Sequence, residues 1–279
     1  MNKIILLLIF AFLSASSQEL KFDKRFVQSE DKWVAFPPDS TNSYSFGFIY
    51  VDAQAGLTLD YVGSFTIDEK GAFIYKPKEV AGAMKYRLQP NNATVAHIPN
   101  SKLADLKVSV VPDWLQIYKE GENTIERLYK WGYMYNGWSE CEKALEFLEK
   151  AAKLDPKYKG LAVELAFSYN CLKRHTEAIT VLKTALQSTP TDSYVSKEYI
   201  YALSKNNQLD EAKNIYKKSH KANNDKTYQV ENAFNILQGY FLNKDVKNFE
   251  SWLIETENLY LSHQQIADIV KQMKLEIRK

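Results

Sequence analysis

The sequence predicts an α+β multidomain chain: an all-β, sandwich-like first half followed by an α-solenoid of stacked helical hairpins. Three observations predict it. Six of the eight prolines (Pro37, Pro38, Pro77, Pro90, Pro99, Pro112) and five of the ten glycines fall between Gln18 and Pro112. Such punctuation interrupts helices and suits short strands joined by turns. From Asp113 onward only Pro156 and Pro190 remain, and apolar residues recur at three- and four-residue spacings. Those two prolines stand 34 residues apart, and the same period runs through the second half.

The chain opens on an address. Residues 1–17 carry Lys3, an unbroken apolar run from Ile4 to Leu13, and the small residues Ser14, Ala15, Ser16 and Ser17. This is the anatomy of a secretory signal peptide, with cleavage expected before Gln18. Ten apolar residues rise about 15 Å as a helix, about half of the ~30 Å hydrocarbon core, so a permanent anchor is the weaker reading. Later segments never reach the ~18 apolar residues of a span. The mature protein is therefore expected to be secreted or periplasmic, with no integral membrane segment. The only cysteines are Cys141 and Cys171, so none stands near the cleavage point to accept a lipid.

Residues 18–112 are expected to form the β domain. Its strand candidates are Lys32 to Phe36, Tyr44 to Val51, Leu57 to Ile67, Ala72 to Tyr75, Tyr86 to Leu88, Thr94 to Ile98 and Leu106 to Val111. All are short, rich in β-branched and aromatic residues, and bounded by turn-forming clusters. Asp68-Glu69-Lys70-Gly71 predicts a turn joining the third and fourth as a hairpin. About seven strands in this length suit a small sandwich, and a barrel fits equally. Residues 113–124 are expected to be a linker or short helix.

Written in rows of 34, the second half aligns Leu128, Ala162 and Ser196; Gly132, Ala166 and Ile200; and Tyr135, Tyr169 and Leu203. Later columns hold Ala144, Ala178 and Ala212; Leu148, Leu182 and Tyr216; Ala151, Ala185 and Ser219; and Pro156, Pro190 and Asn224. Small residues let two antiparallel helices approach, large ones fill the space around the contact, and the proline ends each unit. This pattern resembles the tetratricopeptide repeat. The resemblance implies repeats over 125–158, 159–192 and 193–226, a degenerate one over 227–262 with Glu250 in an apolar slot, and a capping helix over 263–279. The turns inside the first two pairs are expected at Gly137-Trp138-Ser139 and at Leu172 to His175. The third row, with Ile200 in a small-residue slot, is expected to pack more loosely. Ile266, Ile269, Val270, Met273 and Ile277 fall on one face of the last helix.

In that family the first helices of successive repeats line a groove that holds a peptide or partner helix, and the resemblance implies the same here. Tyr133, Phe167 and Tyr201 recur at the period, about 100° round the helix from the packing column. Asn136 and Asn170 follow three residues later as candidate partners for a ligand backbone, and Tyr129 and Lys197 stand one turn earlier. The competing expectation is that these aromatics only pack between neighbouring helices. Cys141 and Cys171 fall at helix ends that the family fold makes neighbours, where they form either a disulfide tying adjacent repeats or two reduced, buried thiols.

Composition bounds the function. With 36 basic and 34 acidic residues the net charge is +2, and residues 18–112 hold 11 of each sign, so no half carries the field that nucleic acid requires. Nucleophile-elbow, zinc-protease and phosphate-loop motifs are absent, and His97, His175, His220 and His263 are scattered. A non-enzymatic interaction scaffold with a protein or peptide partner and no cofactor or metal is expected. The alternatives are a carbohydrate-binding protein with Trp33, Tyr50, Tyr61 and Tyr75 as an aromatic platform on the β domain, and an accessory hydrolase. Asn92-Ala93-Thr94 is a glycosylation sequon.

Overall fold

A computed structural model describes residues 20–79, 82–189, 192–222 and 225–279. The expected signal peptide, Pro190 and Asn224 lie outside the described residues. The chain divides into two compact units between Lys119 and Glu120.

The first unit holds strands β1 (Lys24–Arg25), β2 (Lys32–Ala35), β3 (Tyr44–Asp52), β4 (Gly56–Ile67), β5 (Phe73–Pro77), β6 (Met84–Arg87) and β7 (Thr94–His97), then a short helix α1 (Leu115–Lys119). All pairings are antiparallel and join the seven strands in one sheet, in the order β1-β7-β2-β3-β4-β5 with β6 also on β4. The long hairpin β3–β4 forms its spine. Its tight end is held by Asp52, whose Oδ1 accepts from the backbone N–H of Gln54 and Ala55 at 2.7 and 2.8 Å. The expected turn after β4 is present: Asp68 Oδ1 accepts from the N–H of Lys70 and Ala72, and Gly71 takes φ +77°. Between Gly63 and Tyr61 the register against β3 shifts by one residue, leaving Val62 unpaired. At that bulge the outer edge of β4 passes from β6 to β5.

Alternation along β3 places Phe46, Phe48 and Tyr50 on one face, where they are buried with Trp33, Phe65 and Phe73. The second layer that a sandwich would draw from strands comes here from the chain after β7. Ile98, Leu103, Leu106 and Leu115 fall onto this face. Leu106 to Val111, expected as a strand, runs instead as turns and loop, with Lys107 at φ +57°. A left-handed residue ends an extended run. Leu103 and Leu106, three apart, then reach the same core, and Trp33 Nε1 donates to Ser109 O at 2.9 Å.

The second unit is an array of antiparallel helical hairpins: α2 (Ile125–Gly137) with α3 (Cys141–Leu154), α4 (Leu161–Cys171) with α5 (His175–Ser188), α6 (Ser193–Lys205) with α7 (Leu209–Ala222), and α8 (Gln229–Leu242) with α9 (Val246–Tyr260), followed by α10 (Gln264–Glu276). The column positions carry the packing: Ala144, Leu148, Ala151, Ala166, Ala178, Leu182, Ile200, Leu203 and Ala212 are fully buried. A Cβ on Gly132 would run into Leu148, so glycine permits the closest approach in the first pair. Ile200 takes the small-residue slot of the third repeat and is sealed from solvent, so that repeat shows no opening there.

Each turn inside a pair closes the same way. Ser139, Lys173 and Asn207 take φ of 60, 61 and 60°, and the N–H of Glu140, Arg174 and Gln208 donate to the carbonyls of Tyr135, Tyr169 and Leu203. This is a Schellman closure, repeating at 34 residues. In the fourth pair the left-handed residue is Lys244 and the bond runs from Asp245 to Tyr240, 37 residues after its predecessor. The three extra residues shift everything after them. Phe249 and Leu253 fill the core, and Glu250 lies outside it, accepting from Arg278. Val270 and Met273 of the last helix and Ile277 at its C-terminal cap are buried, whereas Ile269, expected beside them, is exposed.

Candidate functional site

The first helices α2, α4, α6 and α8 pack against one another in series, while the second helices make no comparable contacts among the described residues. An array packed more tightly along one side curves toward it, so the first helices floor a groove. Tyr133 stands in it 60% exposed, and Phe167 and Tyr201 are half-buried, so the aromatic row is partly packed and partly open. Tyr129 lies 6.4 Å from the Tyr133 ring and 5.2 Å from that of Tyr158. Its hydroxyl hangs over Gly160, where a Cβ would come within 2.5 Å. Burial, then the nearby Glu164 carboxylate, pushes the Tyr129 hydroxyl up to about 12.

The two asparagines expected to meet a ligand face inward instead. Asn136 Nδ2 donates to the Glu164 backbone carbonyl at 3.0 Å and to Glu164 Oε2 at 2.9 Å, and its Oδ1 accepts from Ser168 Oγ at 2.7 Å. One repeat on, Asn170 Nδ2 donates to the Glu198 carbonyl at 3.2 Å and to Glu198 Oε2 at 2.9 Å. Both asparagines are 4% exposed. They stitch each first helix to the next, and an amide whose donors are already engaged offers little to a partner backbone. At the third interface Ser204 stands where Asn136 and Asn170 stand, and with the shift of the fourth pair Asn235 stands where Glu164 and Glu198 do; the Oγ of Ser204 and the Nδ2 of Asn235 are buried without partners among the described residues.

Lys197 does face the groove side. Its Nζ lies 2.9 Å from Glu198 Oε1 and 3.7 Å from Glu231 Oε1, and sits 5.5 and 5.6 Å from the ring centres of Tyr194 and Tyr228. Burial opposes its charge, but the Glu198 carboxylate outweighs it, and the ammonium titrates above the usual lysine range. Glu164 has no such cation among the described residues. Burial raises its carboxyl above the ordinary value, and the Asn136 hydrogen bond offsets this only partly.

Glu164, Glu198, Tyr194 and Tyr228 escaped the reading of the sequence, although each pair recurs at 34 residues and the row alignment holds them. Cys141 and Cys171 are joined as a disulfide, Cα to Cα 6.3 Å, linking the start of α3 to the end of α4. Of the four aromatics expected as a sugar platform, Trp33 and Tyr50 are buried in the β-unit core. Tyr61 and Tyr75 line a cleft of about 590 Å³ beside the β4 bulge, with Asp60, Lys78, Lys85 and Trp114. Burial raises the Asp60 carboxyl, opposed by Lys85 and Lys78. Among the described residues no cluster of His, Cys, Asp and Glu is arranged to hold a metal, and no helix is long and apolar enough to cross a membrane.

No curated protein matches the chain. A solved crystal structure of nearly identical TPR-like repeats, from a Podosopora anserina protein described as a kinesin light chain, is similar at 16% identity. That likeness covers 54% of this chain and 82% of the other, with a TM-score of 0.41. The family model for the tetratricopeptide repeat matches residues 141–197, which run from the start of α3 into α6. Residues 141–197 thus match the tetratricopeptide repeat, and the closure inside that stretch recurs at 34 residues on either side of it, in the first three helical pairs.

Proposed function

We propose that the helical half docks an extended segment of a partner protein in the groove floored by α2, α4 and α6, and that the chain is a non-catalytic scaffold. The observation that carries this reading is the aromatic row Tyr133, Phe167 and Tyr201: it recurs once per repeat, and its first member is 60% exposed. Large rings left partly open in a concave surface are the side chains that dominate protein-protein recognition. We further propose that the protein works outside the cytoplasm, secreted or periplasmic. The leader pattern of residues 1–17 supports this, as does the pairing of its two cysteines, a bond that persists in oxidising compartments.

The test is affinity capture from the native envelope with the tagged full chain and with Tyr133→Ala combined with Tyr201→Ala. The double variant should keep its helical circular dichroism and bind the captured segment about tenfold or more weakly. Undiminished affinity in a folded double variant contradicts the reading.

A further inference from the structure

Two repeat-related carboxylates on the groove helices are built alike and completed differently. Glu164 and Glu198 are 4% and 3% exposed, and each accepts at its Oε2 from the Nδ2 of an asparagine of the preceding first helix. Glu198 Oε1 then accepts from Lys197 Nζ, and the ammonium lies over the rings of Tyr194 and Tyr228. Thirty-four residues earlier, the position of Lys197 is Val163, that of Tyr194 is Gly160, and that of Tyr228 is Tyr194. The first site therefore keeps the acid, its asparagine and the ring of Tyr194, has Tyr129 against Gly160 in place of the other ring, and lacks its own cation. Glu164 Oε1 receives no hydrogen bond and no ion pair among the described residues. Unlike the enclosed oxygens of Ser204 and Asn232, it is not sealed from solvent. Tyr129 of α2 and Tyr194 of α6 stand close by: after burial, the charge of Glu164 is the next largest cause raising each of their hydroxyls, and at Tyr194 the charge of Glu198 adds to it.

We infer that Glu164, flanked by Tyr129 and Tyr194, is a subsite for a lysine or arginine side chain of the docked segment, which supplies from outside the cation that Lys197 supplies from within at Glu198. This rests on the groove reading above. A carboxylate withdrawn from water gains most from a partner charge that is withdrawn with it, and no lysine of this chain stands at position 163 to supply that charge as Lys197 does at Glu198. Aromatic faces beside the acid add the attraction that a guanidinium or ammonium feels over a ring.

The probe is a random heptapeptide display library panned on the full chain, on Glu164→Gln and on Val163→Lys. The glutamine keeps the shape and the acceptor for Asn136, and the lysine rebuilds the internal pair seen at Lys197. The wild type should enrich peptides with one fixed basic position. Both variants should lose that preference while retaining the others. A selected peptide with its basic residue changed to norleucine should bind the wild type about tenfold more weakly and Glu164→Gln unchanged. Enrichment without a basic position, or a basic preference that survives Glu164→Gln, overturns the subsite and leaves the groove standing. A folded wild type that enriches no peptide overturns the groove reading and this inference with it.

Discussion

Glu164 carries its charge against the solvation it has lost. Its folded-state carboxyl titrates above the ordinary value because of burial, so the native state holds that proton more tightly than the unfolded chain does. The stability it contributes is fully present below the unfolded pKa and is lost as pH rises through the folded value. Glutamine has no such dependence. The stability of Glu164→Gln relative to wild type should therefore improve between about pH 4 and pH 7, read by urea unfolding at both. A difference constant across that range contradicts the assignment. At this scale the sequence was half legible. The recurrence of Asn136 and Asn170 was plain, but an amide suits a ligand backbone and a neighbouring helix equally well. What decides between them is the distance from Asn136 to Glu164, 28 positions away, and a row alignment holds no distances.

Elements were legible where a local rule governs them. The helical pairs followed from the small and large columns, and the turns fell where expected, with the left-handed residue supplied by serine, lysine and asparagine rather than glycine. The fourth pair was out of register, because a longer connection before its first helix and one further residue within that helix shift every later column by three and place Glu250 outside the core. In the β unit, β1 is two residues long and pairs only with β7 among the described residues, too short for any alternation to reveal. The segment from Leu106 carried strand-like alternation, yet Lys107 turns it back onto the sheet face. Between elements, the Cys141–Cys171 bond spans 30 positions and ties α3 to α4. By the chain-entropy account such a loop is worth about 3–4 kcal/mol. Replacing both with alanine should lower the unfolding free energy of the helical half by about that amount, with wild type in reductant moving the same way. A stability indifferent to both treatments would show that the bond constrains little.

For the molecule as a whole, charge and composition pointed away from nucleic acid and toward contact recognition, and the aromatic surplus now has several addresses. Part of it fills the β-unit core through Phe46, Phe48, Phe65 and Phe73, where each buried ring contributes about 1.5–3 kcal/mol. Part lies in the helical core, including Tyr135, Tyr199 and Trp252. Part lines the β-unit cleft through Tyr61, Tyr75 and Trp114, and part stands on the first helices, led by the exposed Tyr133. The β unit has its own core and its own cleft beside Asp60, and one sheet with a folded-back segment suffices to close it.

Whether a partner segment lies along the first helices is tested most directly by photo-cross-linking: p-benzoylphenylalanine in place of Tyr133, and separately in place of Ile254, which is 82% exposed on α9, a second helix. Irradiation in the native cells should join the partner to position 133 and leave position 254 unjoined. A partner captured from 254 alone, or equally from both, would contradict the account.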